Sequence, residues 1–124
     1  MPDKVVDASA LAALAFAEPS AETVIDQIDG CRLHAPTLVV FELMNVAWKR
    51  AKKHPAATTL FLEALEILEG LGLRFRGIDQ GEVVRLGLST GLTAYDASYL
   101  WLARELGMPL VTLDKKLGAH AKNI

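Results

Sequence analysis

The chain has 124 residues, 52% hydrophobic but only 6% aromatic, with 13 Lys and Arg against 15 Asp and Glu for a formal net charge of −2. That length fits one domain with a buried core, and the composition excludes a disordered chain. The slight acidity excludes nucleic-acid binding through bulk positive charge, so any such contact must rest on local clusters or bound cations.

A lone cysteine, Cys31, excludes an intrachain disulfide, and no apolar run is long enough to span a bilayer. The N-terminus lacks the basic-then-apolar order of a signal peptide, so a single cytoplasmic domain over residues 1–124 is expected.

Lys4-Val5-Val6-Asp7 is a short β-branched run ending at an acid, and Ala8 to Ala17 continues with good helix formers. The pattern predicts strand, acid, helix. Glu18-Pro19-Ser20 breaks that helix, and Ser20 is placed to cap a second one carrying Val24, Ile25 and Ile28 up to Gly30. Arg32 to Ala35 is a short strand candidate. Pro36-Thr37 opens the next helix with Thr37 as N-cap; it runs from Leu38 through Glu42 and Asn45 to Trp48, and Pro55 closes it. Its basic end, Lys49, Arg50, Lys52 and Lys53, suits the helix dipole and solubility.

Ala56 to Glu69 forms a helix with Leu60, Leu65 and Leu68 among its apolar positions, ended by Gly70-Leu71-Gly72. Leu73 to Ile78 is a third strand, on which Arg74 and Arg76 alternate toward solvent. Asp79-Gln80-Gly81-Glu82 has the form of a capping box ahead of a short helix through Val83, Val84, Leu86 and Leu88, stopped by Gly91. Thr93 to Asp96 reads T-x-x-D, a variant of the same box, ahead of an apolar helix that Gly107 ends. Pro109 to Leu113 is the last strand and again stops at an acid, Asp114; the tail to Ile124 is too short to assign.

Strands alternating with helices predict an α/β fold of three layers, α/β/α, around a mostly parallel sheet of four or five short strands. Ligands of such sheets gather outside the carboxyl ends of the strands. Asp7 and Asp114 follow strands directly, Asp96 lies in the first turn of the helix feeding the last strand, and Glu42 sits within reach of the same edge. Taken singly, Asp7 and Asp114 are more often helix N-caps than ligands; their joint placement points to a shared site. Clustered carboxylates repel one another without a cation. With Mg²⁺ or Mn²⁺, which favour oxygen ligands, they can position a water and stabilise a leaving oxygen, and phosphodiester hydrolysis uses both effects.

Competing motifs are weaker. Gly87-Leu88-Ser89-Thr90-Gly91 matches G-x-S-x-G, but a nucleophile elbow needs a strand before the serine and a helix is expected there. No phosphate-cradling glycine loop occurs, and His34, His54 and His120 lack zinc-ligand spacing. Asp79 is accounted for by its capping box. Trp48, Tyr95, Tyr99 and Trp101 are read as core or dimer contacts rather than base-stacking platforms.

Four segments, Val5-Val6-Asp7-Ala8-Ser9-Ala10-Leu11, Phe41-Glu42-Leu43-Met44-Asn45-Val46, Thr93-Ala94-Tyr95-Asp96-Ala97-Ser98-Tyr99 and Val111-Thr112-Leu113-Asp114-Lys115-Lys116-Leu117, resemble the successive motifs of PIN-domain nucleases. The whole chain resembles the VapC ribonuclease toxins of toxin–antitoxin pairs. The resemblance implies that Asp7, Glu42, Asp96 and Asp114 are the catalytic acids around Mg²⁺ or Mn²⁺. It also implies that Ser9 touches a metal-bound water, that Asn45 orients Glu42, and that Thr112 supports the last acid. Lys115 and Lys116 would contact the RNA backbone. Implied too are an RNA substrate such as tRNA or rRNA cut to leave a 5′-phosphate, a homodimer, and a cognate antitoxin whose tail enters the acidic groove; no membrane association is expected, since no apolar run is long enough to cross a bilayer. One departure is that little chain remains after Asp114 for the further short strand such proteins often carry. The alternatives are a receiver-like Mg²⁺-binding module, for which only Asp79 fits the phospho-acceptor position, and a PIN fold that only binds partners.

Overall fold

The computed structural model describes residues 1–122. Four strands, β1 (Asp3–Val6), β2 (Arg32–Ala35), β3 (Arg74–Phe75) and β4 (Leu110–Val111), form one sheet in the order β3-β2-β1-β4, with every pairing parallel. Around it lie helices α1 (Ala8–Ala15), α2 (Ala21–Ile28), α3 (Leu38–Lys53), α4 (Thr58–Glu69), α5 (Gln80–Thr90), α6 (Ala94–Leu106) and α7 (Lys115–Ala121). Helices α1 to α4 pack among themselves, and α6 packs against both α5 and α7, giving the two outer layers of an α/β/α sandwich.

Strand β1 is central, so Val5 and Val6 are buried completely; a β-branched pair without polar alternation is what a strand covered on both faces requires. Helix α6 supplies much of the remaining core through Ala97, Leu100, Leu102 and Ala103. At the amino edge of the sheet Asp3 joins β1 to β2. Its carboxylate accepts hydrogen bonds from Arg32 at 2.9 and 2.8 Å and lies 2.8 Å from His34 Nε2. The Arg32 bonds first, then His34, hold the Asp3 carboxyl at about 2.

Several local expectations need correction. Thr37 and Ser20 precede their helices but make no side-chain capping hydrogen bond. Thr37 has helical backbone angles and Ser20 a ψ of 1°, so neither hydroxyl is set across the first turn as a cap with extended backbone would set it. Pro55–Ala57 forms a separate 3₁₀ turn, so α4 starts at Thr58, not Ala56. Strand β3 is two residues long instead of Leu73 to Ile78, because as an edge strand it pairs only with β2; Arg76 N–H adds one bond to Ala35 O at 3.0 Å. Strand β4 is likewise shorter than Pro109 to Leu113. Arg50 is not a free surface cation: it pairs with Glu18 at 2.5 Å and lies 4.8 Å above the Phe16 ring.

The tail after Asp114 folds as α7, and among the described residues no further strand follows it. Residues 123 and 124, the last of the unassigned tail, lie outside the described residues.

Gly91, at φ 78°, ends α5 in the left-handed conformation that glycine adopts without strain. Gly87 serves packing. A Cβ there would come 3.0 Å from Leu92 O and 3.6 Å from the Ala97 methyl, where α5 meets α6. Gly87→Val is therefore expected to destabilise the fold by about 1–3 kcal/mol through overpacking, read as a lower urea midpoint. An unchanged midpoint would mean that the two helices separate freely.

Candidate active site

In the order β3-β2-β1-β4 the chain runs outward from β1 in one direction and then returns to pair β4 on the other side, so the topological switch point lies between β1 and β4. Crevices form at the carboxyl end of such a point. Asp7 stands one residue past β1, while Thr112 and Asp114 stand just past β4.

Asp7 is the most buried of the expected acids, 4% exposed. One oxygen accepts from the Ala10 N–H at 3.0 Å, capping α1, and from the Ser9 hydroxyl at 2.7 Å. The other accepts from the Thr112 hydroxyl at 2.5 Å. Ser9 Oγ and Thr112 Oγ1 in turn accept from the Leu113 and Asp114 N–H groups, at 2.9 and 3.0 Å, so the ends of β1 and β4 are tied through one carboxylate. Burial above all raises the Asp7 carboxyl from its ordinary value; the bonds from Thr112, Ser9 and Ala10 pull it down, and the charge of Asp96 raises it further. Thr112→Val would leave one Asp7 oxygen and the Asp114 N–H without this partner. A loss of about 1–3 kcal/mol is expected in urea unfolding. A neutral result would show that water replaces the hydroxyl.

Glu42, half-buried on α3, accepts a 2.5 Å hydrogen bond from the hydroxyl of Tyr99, a residue of α6 that is itself 1% exposed. Burial is the first cause that raises the Glu42 carboxyl; Tyr99 opposes it, and the charges of Asp96 and Asp7 add to it. The same burial and the Glu42 bond push the Tyr99 phenol far up. Asn45 does not do this work. It is exposed and makes no hydrogen bond to Glu42 among the described residues, because Tyr99 reaches the carboxylate from the facing helix.

Thr93 caps α6 by accepting from the Asp96 N–H at 3.2 Å. The reciprocal half of the box is absent: among the described residues the Asp96 carboxylate has no hydrogen-bond partner. Burial, then the charge of Asp114, raise it, and Lys116 lowers it. The Asp79 box is also half formed; its carboxylate caps α5 at 3.0 Å, while Glu82 accepts from Trp101 Nε1 at 3.0 Å. Asp114 is exposed and caps α7 through Leu117 N–H at 2.8 Å. Asp7 and Asp114 are thus helix caps at the carboxyl edge of the sheet, and their carboxylates stand at positive helix ends. Lys116 Nζ donates to Gly91 O at 2.8 Å; Lys115 is exposed.

Among the described residues no three Asp, Glu, His or Cys side chains approach closely enough to hold a metal by themselves. Mutual repulsion spreads bare carboxylates, and hard cations such as Mg²⁺ commonly take one or two carboxylates and complete their shell with water. The donor set, all oxygen, with an Asp96 carboxylate that has no hydrogen-bond partner among the described residues and three carboxyls raised by burial and by a neighbouring acid, fits such a cation. No helix among the described residues is long and apolar enough to cross a membrane.

The family model for the PIN domain matches residues 4–123. The chain belongs to the PIN domain family. Within it, the chain is 33% identical over 118 residues to Ribonuclease VapC3 of Pyrobaculum aerophilum, covering 91% of this chain and 90% of that one. It is 35% identical over 92 residues to Exonuclease VapC9 of the same organism, covering 68% and 64% respectively. A solved structure, PAE2754 from Pyrobaculum aerophilum, superposes with a TM-score of 0.80 at 31% identity, over 98% of this chain and 86% of that one. The resemblance to VapC-type PIN domains seen in the four segments is borne out, and the receiver-like alternative falls with it.

Of the residues that the structure sets against the expected acids, Tyr99 is the one that sequence reasoning misses. Its only signal is its spacing, three residues after Asp96, which puts it one turn deeper on the same face of α6.

Proposed function

We propose that this PIN domain is a Mg²⁺- or Mn²⁺-dependent endoribonuclease, the toxin of a toxin–antitoxin pair. The observation that carries this reading is the carboxylate of Asp7 at the switch point, braced by the Ser9 and Thr112 hydroxyls, with the charge of Asp96 raising the carboxyls of both Asp7 and Glu42. The names of the VapC relatives support the choice of RNA.

Asp7, Glu42, Asp96 and Asp114 would hold the cation. When bound, it supplies positive charge against phosphoryl oxygens and lowers the pKa of a water. The chain's own groups set the stage for that chemistry. Ser9 and Thr112 fix the direction of Asp7, and Tyr99 fixes Glu42. Lys115 and Lys116, next to Asp114, offset backbone charge where RNA enters; Lys116 does so from an anchored position.

A homodimer and an antitoxin complex belong to the same proposal. Val40, Phe41, Met44 and Trp48 form an exposed apolar row along α3, beside a groove of about 360 Å³ that Met44, Leu65 and Phe75 help to line. Contiguous exposed apolar surface of this kind marks protein contacts. The site itself is tested by incubating chelator-treated protein with labelled structured RNA, with and without Mn²⁺. Cleavage that requires Mn²⁺, gives internal cuts with 5′-phosphates, and disappears in Glu42→Gln is expected. Cleavage of equal rate in Glu42→Gln would end the assignment.

A further inference from the structure

A second concavity opens beside the acids, a cleft of about 490 Å³ between β3, the start of α3 and the first turns of α5 and α6. Two of the helices that line it, α3 and α6, also carry Glu42 and Asp96. On α6, Tyr95 and Ser98 line the cleft while Asp96 and Tyr99, each one residue further on, face Glu42 and Asp7. On α3, Leu38 lines the cleft and Glu42 follows one turn later on the same face. Its floor is therefore about one helical turn, roughly 5 Å, from the acids, within the reach of one nucleotide.

The lining is that of a base pocket more than of a packing defect. Tyr95 is 64% exposed and Phe75 50% exposed, two aromatic rings contributed by different elements with no apolar cover. Arg76 supplies a cation. Thr37, which sequence reasoning assigns to capping, leaves its hydroxyl free of the helix it precedes. Single-stranded RNA is recognised by bases splayed onto aromatic and Arg planes, with polar groups reading their edges.

Resting on the nuclease reading above, we infer that this cleft holds the nucleobase flanking the scissile phosphate, stacked on Tyr95. Tyr95 is then a binding residue, not the core or dimer contact its spacing predicts.

The test uses the full chain and a short labelled oligoribonucleotide, intact or abasic at the nucleotide flanking the mapped cut. Affinity is measured by fluorescence anisotropy in Ca²⁺, which needs no turnover. Stacking losses predict that Tyr95→Ala weakens binding of intact RNA about tenfold, that the abasic RNA loses as much with wild type, and that the two losses do not compound. Tyr95→Phe should bind as wild type, and in Mn²⁺ the alanine variant should raise KM with little change in kcat. Equal affinity of wild type for intact and abasic RNA, or losses that multiply, overturns the proposal and leaves the cleft to a protein side chain. Failure of the nuclease reading shows separately, as wild type that binds in Ca²⁺ but never cuts in Mn²⁺.

Discussion

Asp96→Asn is expected to lower Mn²⁺-dependent cleavage by at least about 10²-fold, a loss of several kcal/mol of charge stabilisation, while leaving a folded protein. The substitution keeps the Thr93 cap, because that bond comes from the Asp96 backbone N–H and not from its side chain. It removes a carboxylate that has no partner among the described residues and whose charge raises both Asp7 and Glu42. Activity and stability should therefore move in opposite directions.

The pH dependence follows from the same shifts. Burial first, and then repulsion, raises the carboxyls of Asp7, Glu42 and Asp96 above their ordinary values. A group raised in the folded state favours folding at pH values below its unfolded pKa and loses that contribution as pH rises through the folded pKa. Metal-free wild type should thus lose stability on going from pH 4 toward neutrality, as far as these three groups decide it. Asp96→Asn deletes one of them and relieves two, so its metal-free Tm at pH 8 should exceed that of wild type. Mn²⁺ reverses the order: ligand at a hundredfold excess over Kd stabilises wild type by about 2.7 kcal/mol, and the variant gains less. Thermal unfolding in chelator and in Mn²⁺ measures both. An equal Mn²⁺-induced rise in the two proteins would show that Asp96 takes no part in holding the cation.

The acids at positions 7 and 114 are legible in the sequence because each terminates a short apolar run, and a parallel sheet sends such positions to one edge. The sheet order is not legible in that way. It depends on which side of β1 the last strand takes, a tertiary choice made by the helices that cover the strand. The resemblance already singles out Ser9 and Thr112, but that both hydroxyls bond to the one carboxylate of Asp7 shows only once β1 and β4 lie side by side, since the two are far apart in sequence. Asn45 is placed beside Glu42 by sequence because residues three apart share a helix face, yet a helix position says nothing of the facing element. Tyr99 fills that role from α6. Its ring satisfies every expectation of a core residue, and only the hydroxyl's partner distinguishes it.

Tyr99→Phe isolates that hydroxyl. The ring stays in the core, so the cost in stability should be about 1 kcal/mol, the net worth of one hydrogen bond to a half-buried group. The effect on the site should be larger. A partner that holds a ligating carboxylate in place is worth roughly 10–100-fold in metal affinity. The phenol also pulls the Glu42 carboxyl down against burial. Without it that carboxyl rises further, and because a cation binds only the ionised form, the midpoint for Mn²⁺ binding should move to higher pH. Calorimetric titration with Mn²⁺ across pH 5.5–8.5 reads both effects, and cleavage should recover largely at saturating Mn²⁺ and high pH. A merely structural tyrosine would lower Tm without moving that midpoint. Unchanged Mn²⁺ affinity in a folded variant would therefore remove Tyr99 from the site and leave Glu42 to be held by its helix alone.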